Sequence, residues 1–201
     1  PLNGDVYLTL TNNSSRTEPN AANPRNQNRH GHIIRWHDSA DQRSFTWDIF
    51  VFGANAGADP ALNRSGLTDL NQFASPDGMA FDSRGVLWIQ TDNGEKTLTD
   101  YTNDQMLAVI PANLTDPQGR EVPVNVQNQG ELRRFFVGPN GCEVTGLAFT
   151  PDNRTMFVNI QHPGNWPYAD DATIAAPAGT QVRPRAATVV IQRTDGGELA
   201  V

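Results

Sequence analysis

The chain has 201 residues, 37% of them hydrophobic, and its 22 acidic against 15 basic residues give a net charge of −7. That balance disfavours nucleic acid as a partner, because a net-negative surface repels polyanions and offers carboxylates to cations. No apolar run approaches the roughly 20 residues that a membrane-spanning helix needs, no basic and apolar leader opens the chain, and the single cysteine, Cys142, excludes an intrachain disulfide and a Cys-rich metal cluster.

With 17 Gly and 14 Pro beside abundant Asn, Asp and Thr, the composition favours many short strands joined by elaborate loops, and the fold class is read as all-β. The first element, Asn3-Gly4-Asp5-Val6-Tyr7-Leu8-Thr9-Leu10, runs from a polar turn into a strand with an aromatic at its centre. The same phrase returns as Arg84 to Thr91 around Trp88 and as Asn153 to Ile160 around Phe157. Those centres lie further apart than the roughly 40 to 50 residues of a plain propeller blade, so each unit carries long loop insertions.

After the first phrase, Gly31 to His37 and Phe45 to Phe52 read as two further strands. Leu62 to Phe73 places Leu62, Leu67, Leu70 and Phe73 partly at helical spacing and predicts one short helix, which Gly66 weakens. Four strands then follow, Gly78 to Asp82, Val86 to Asp92, Gln105 to Pro111 and Glu131 to Val137, which make one blade. The next unit starts in the same way, with Gly146 to Thr150 and Met156 to His162, and resumes at Thr188 to Gln192 after a Pro-rich and Ala-rich loop from Pro163 to Arg185.

The expected architecture is a partial β-propeller of about three four-stranded antiparallel blades, in segments 1–60, 74–138 and 139–201 of one region. Residue 1 falls just before a second strand, so the chain enters mid-blade. An isolated run of blades leaves faces and edges uncovered; the chain is therefore read as a fragment of a longer one, or as half of an assembly with a second copy.

In a propeller the loop leading to each inner strand opens onto the central channel. Ser75-Pro76-Asp77-Gly78 and Gly141-Cys142-Glu143-Val144-Thr145-Gly146 are two such loops. Asp77 and Glu143 are the candidate metal ligands, since hard cations take six to eight oxygens that separate loops can supply. Asp-Gly is also an ordinary turn pair, whereas Glu is a poor turn residue. The second strands end in polar clusters, Thr11-Asn12-Asn13, Thr91-Asp92-Asn93 and Gln161-His162-Pro163. Only Asp92 is taken from these as a third candidate ligand; Asn12, Asn13 and His162 are left as turn chemistry or a supporting shell.

Cys142 reads as a buried inert thiol, and His30 and His32 as strand-edge residues with no third ligand after them. Asn-x-Ser/Thr sequons, such as those at Asn13, Asn63, Asn113 and Asn153, arise easily in an Asn-rich chain. No phosphate-cradling Gly-rich loop, Gly-x-Ser-x-Gly turn or His-Glu-x-x-His pair occurs.

Across Ser75-Pro76-Asp77-Gly78-Met79-Ala80-Phe81-Asp82, Leu87-Trp88-Ile89-Gln90-Thr91-Asp92 and Gly141 to Asp152, the sequence resembles the PhoX family of bacterial alkaline phosphatases. Val6 to Asn13, Asn23-Pro24-Arg25, Gly31 to Trp36 and Phe157 to Gly164 are similar to the same family. The resemblance implies a six-bladed propeller, exported by the twin-arginine route to the periplasm or beyond, that hydrolyses phosphate monoesters with calcium and iron. It also implies that this chain is the C-terminal part, lacking an Arg-Pro-Glu-type segment before Pro1 and the cysteine iron ligand of the N-terminal half, so the fragment alone is expected to be inactive. The alternatives are a non-catalytic propeller segment binding structural calcium or a protein partner, and a calcium-dependent lactonase-like hydrolase. Arg133 and Arg134, on an outer strand, are poor candidates for phosphate donors.

Overall fold

Strands form where β-branched, aromatic and aliphatic residues bunch between Gly, Asn, Asp and Pro turns, and a computed structural model describes residues 3–93, 101–164, 178–179 and 185–200. Strands β1 (Val6–Leu10), β2 (His32–Asp38) and β3 (Phe45–Phe52) make the first sheet. A second holds β4 (Pro76–Phe81), β5 (Leu87–Thr91), β6 (Gln105–Val109) and β7 (Arg133–Val137), and a third holds β8 (Glu143–Phe149), β9 (Thr155–Gln161) and β10 (Ala187–Gln192). Every pairing is antiparallel between chain neighbours, so each sheet is a meander. The only helical elements among the described residues are two 3-10 turns, Pro111–Asn113 and Gln129–Glu131. The chain is thus all-β, but only the second sheet has the expected four strands, and no sheet closes on itself among the described residues.

Two expectations are corrected. Leu62 to Phe73 forms successive turns and no helix. Gly66 takes φ +68°, and the Asn63 side chain accepts from the Leu67 N–H at 2.8 Å and donates to its carbonyl at 2.9 Å, which satisfies the backbone locally. Leu67 and Phe73 are buried all the same, while Leu70 is exposed. The inner strands also start earlier than expected, at Pro76 and Glu143, so Asp77 and Glu143 lie within strands and not in the preceding loops. Asp77 lies within a register break, between Pro76 and Met79 of β4, and Glu143 precedes one, between Thr145 and Leu147 of β8. A glycine marks each bulge: a Cβ on Gly78 would meet Gln90 Oε1 at 2.6 Å, and one on Gly146 would meet Asn159 Nδ2 at 2.4 Å.

The sheets stack as three layers with two cores. Because strand side chains alternate between faces, Leu87 and Ile89 of β5 and Leu107 and Val109 of β6 enter the core shared with Ile33, Phe50 and Val51. Trp88, Met106 and Ala108 enter the other, with Val144, Met156, Val158 and Ile160. Both β5 and β6 are buried along their whole length. The repeated aromatic centres organise these contacts. Tyr7 meets Phe50 edge-on at 5.0 Å and Phe81 at 5.2 Å, and Trp88 meets Phe135 at 4.8 Å and Phe149 at 5.4 Å. In both cases a second-strand ring lies between a last-strand Phe of its own sheet and an inner-strand Phe of the next. Phe157, the third centre, has no following sheet among the described residues and stays 38% exposed.

Candidate functional site

The repeat brings the ends of several strands to one edge of the stack. Thr91, the last residue of β5, pairs with Pro76, the first of β4, and Gln161, the last of β9, pairs with Glu143, the first of β8. The Asp92 N–H donates to the Ser75 carbonyl at 3.0 Å, and the Ser75 N–H to that of His30 at 2.9 Å, so three loops are sewn together here. Ser75 is held at φ +53°, an uncommon conformation for a residue with a side chain.

At this edge one ligand atom each of Asp92, Glu143 and His162 lie within 4.8 Å of one another, which makes them the one acid and imidazole group among the described residues able to hold a metal ion. Two of the three candidates from sequence, Asp92 and Glu143, therefore converge. Asp77 is exposed on β4 and stands outside the group, although its charge is felt at Asp92. The Asp92 carboxyl is raised above the usual carboxylate range, first by burial and then by the Glu143 and Asp77 charges, with His162 acting in the opposite direction.

Second contacts fix the donors. Gln161 Nε2 donates to Glu143 Oε2. His162 Nδ1 lies 3.2 Å from the Gly141 carbonyl, to which it can only donate, so the neutral ring carries its free lone pair on Nε2. That Nε2 is 3.5 Å from Glu143 Oε2. Two lone pairs so placed call for a proton or a metal ion between them. No Lys or Arg ion pair reaches Asp92 or Glu143 among the described residues.

In sequence, His162 belongs to a Gln-His-Pro turn that carries no signal of its own. Asp104 has no sequence signal either, yet it is 3% exposed and accepts from Thr91 Oγ1 at 2.6 Å and the Asn93 N–H at 2.7 Å. Burial pushes its carboxyl up to about 6 against those two hydrogen bonds, and the Asp92 and Glu143 charges push it the same way. Cys142 is buried and its thiol is pushed up to about 12, chiefly by burial, as an inert thiol requires. His32 is not a strand-edge residue: it is fully buried on the central strand β2, with Nδ1 accepting from Asn28 at 2.7 Å and Nε2 donating to the Ala22 carbonyl at 2.7 Å. Asn13 is turn chemistry, accepting from the Arg16 N–H at 3.0 Å. Arg134 is committed to Gln105 and the Gln72 carbonyl, at 2.6 and 3.3 Å. The loop Pro163 to Arg185 lies largely outside the described residues.

The family model described as alkaline phosphatase PhoX matches residues 1–164. The chain belongs to the PhoX alkaline phosphatase family. Among solved structures, a PhoX from Pseudomonas fluorescens, described as a complex with vanadate, a transition state analogue, is 39% identical with a TM-score of 0.75. The similarity covers 99% of this chain and 33% of that PhoX chain, so the present sequence spans about a third of its relative's length. Comparison with curated proteins finds no match. The PhoX match takes in Asp77, Asp92, Asp104, Glu143 and His162 together.

Proposed function

We propose that the chain is part of a metal-dependent phosphomonoesterase and supplies one wall of its cation site. The observation that carries this reading is the convergence of Asp92, Glu143 and His162, with no Lys or Arg ion pair to them among the described residues, in a chain of the PhoX family. Asp92 and Glu143 bring carboxylate oxygen and His162 brings Nε2, with Gln161 and the Gly141 carbonyl orienting them. Asp77 adds negative charge from β4. A bound cation supplies Lewis-acid polarisation of the phosphoryl oxygens. Of the two metals that the resemblance implies, the mixed oxygen and nitrogen set fits iron better, because calcium takes six to eight oxygens. Asp77, with oxygens from the longer protein, would be left to hold calcium.

The reaction is attack of water on phosphorus with cleavage of the ester P–O bond, the leaving oxygen taking up a proton. Fixed cationic donors for the dianion come from metal ions or from the longer chain; Arg134 is committed to Gln105 and the Gln72 carbonyl. The remaining blades of the longer protein, or a second copy, cover the open edge of β1, where Val6 and Leu8 are exposed. A groove of about 490 Å³ runs between β1 and β4, lined by Tyr7, Leu8, Asp77, Met79 and Phe81 among others. It lies where the first sheet lacks the counterpart of β4. In this reading segments 1–60, 74–138 and 139–201 are successive blades of a six-bladed propeller. No helix of the described residues is long and apolar enough to cross a membrane, and export to the periplasm is part of the proposal.

Phosphomonoester hydrolysis, measured with calcium and ferrous iron added, is expected in the longer parent and not in the 201-residue chain. In the parent, Glu143→Ala and His162→Ala should each lower kcat/KM at least 100-fold, and Asp77→Ala by less. Full activity in a parent carrying Asp92→Ala, Glu143→Ala and His162→Ala together would remove the site assignment. Absence of activity in both proteins would favour the non-catalytic reading.

A further inference from the structure

Asp104 opens onto β6 beneath the candidate cation group, and its Oδ1 holds both neighbours of Asp92: the Thr91 hydroxyl donates to it at 2.6 Å and the Asn93 N–H at 2.7 Å. The Thr91 hydroxyl oxygen in turn accepts from the Gln105 N–H at 3.0 Å. The Asp104 carbonyl accepts from the Gly138 N–H at 2.8 Å, and Asn103 Nδ2 donates to the Gly138 carbonyl, in the loop that leads to Glu143. One buried residue therefore holds the Thr91 side chain and the Asn93 backbone on either side of Asp92, and its own carbonyl holds Gly138 on the approach to Glu143. We propose that Asp104 is a positioning residue, which sets the direction of Asp92 and its separation from Glu143 without touching the cation.

Three observations support this. Asp104 forms no ion pair with Lys or Arg among the described residues, so its carboxylate is retained in the interior for its hydrogen bonds. Asn93, 4% exposed, leaves both side-chain polar atoms without a hydrogen-bond partner among the described residues, where its hold on the structure runs through its backbone N–H to Asp104. Ligand atoms must be held to about 0.5 Å to bind a metal well, and the groups that hold them typically alter affinity by about 10 to 100-fold when removed.

The inference rests on the cation-site reading, and the experiment separates the two. Calcium and ferrous iron are titrated calorimetrically into the wild-type longer parent protein and into its Asp104→Ala and Asp104→Asn variants, with hydrogen exchange of the Asn93 amide followed in the same samples. Asp104→Ala should weaken cation binding by about 10 to 100-fold and speed Asn93 exchange. Asp104→Asn keeps an acceptor oxygen and should bind within a few-fold of wild type with Asn93 still protected. Wild-type affinity in a folded Asp104→Ala protein overturns the positioning role alone, as does equal weakening in both variants, which would point to charge instead of position. No binding by the wild-type protein overturns the cation-site reading and the positioning role with it. Should Asp104→Ala fail to fold, Thr91→Val removes one of the two donors at constant shape, and unchanged affinity there overturns the role in the same way.

Discussion

Cys142 and Asp104 show how burial sets reactivity a few ångströms from a candidate catalytic centre. The thiolate is the reactive form of cysteine, and a thiol pushed up to about 12 is neutral at pH 8. Alkylation of Cys142 by iodoacetamide at pH 8 should therefore be at least 100-fold slower in the native protein than in urea; equal rates would show the residue to be accessible and ionised. For Asp104 the folded pKa of about 6 lies above the ordinary 3.8, so the folded state holds the proton more tightly. The associated stabilisation is fully present below pH 3.8 and is lost as pH rises through about 6, by roughly 3 kcal/mol for about two units. In metal-free protein the urea stability of Asp104→Asn relative to wild type should rise between pH 4 and 7; a flat difference would contradict the shift. Cys142 was legible because a lone thiol without a nearby His reads as core, whereas Asp104 lies before an ordinary strand and becomes informative only when Thr91 and Asn93 fold against it.

At the scale of elements, strand existence was legible and strand starts were not. The repeated phrases located β1, β5 and β9, because an aromatic flanked by aliphatic residues is a strong strand signal. The bulges at Gly78 and Gly146 hid the true beginnings of β4 and β8, since Asp77-Gly78 reads as a turn pair and Gly146 interrupts the strand pattern. Gly146 is the sharper test. It takes φ +60° beneath the Asn159 side chain, so Gly146→Ala should cost about 1 to 3 kcal/mol in urea denaturation, while a loss below about 0.3 kcal/mol would mean that the bulge relaxes freely. The candidate centre was half legible for the same reason: Glu143 was conspicuous as a poor turn residue, but the approach of His162 depends on the pairing of β9 with β8 and on the Gly141 carbonyl, which no local pattern encodes.

Across the whole molecule, the ring contacts join neighbouring sheets, and removing one should cost far more than trimming the uncovered equivalent. Trp88 is fully buried between Phe135 and Phe149, and Trp88→Ala should destabilise by about 3 to 5 kcal/mol. Phe157→Ala should cost under about 1 kcal/mol, because its ring is already 38% exposed. Similar losses at both positions would show that the two rings are not in different settings. The ring arrangement also has a consequence for engineering. Phe81 and Phe149 occupy the same station relative to the preceding sheet, and Tyr7 and Trp88 the same station relative to the following one. A sheet unit such as 74–138 therefore carries both halves of its own joint. Grafted in tandem, a second copy would present its Phe81 to the first copy's Trp88 in place of Phe149, so the ring joint between sheets would be kept in kind.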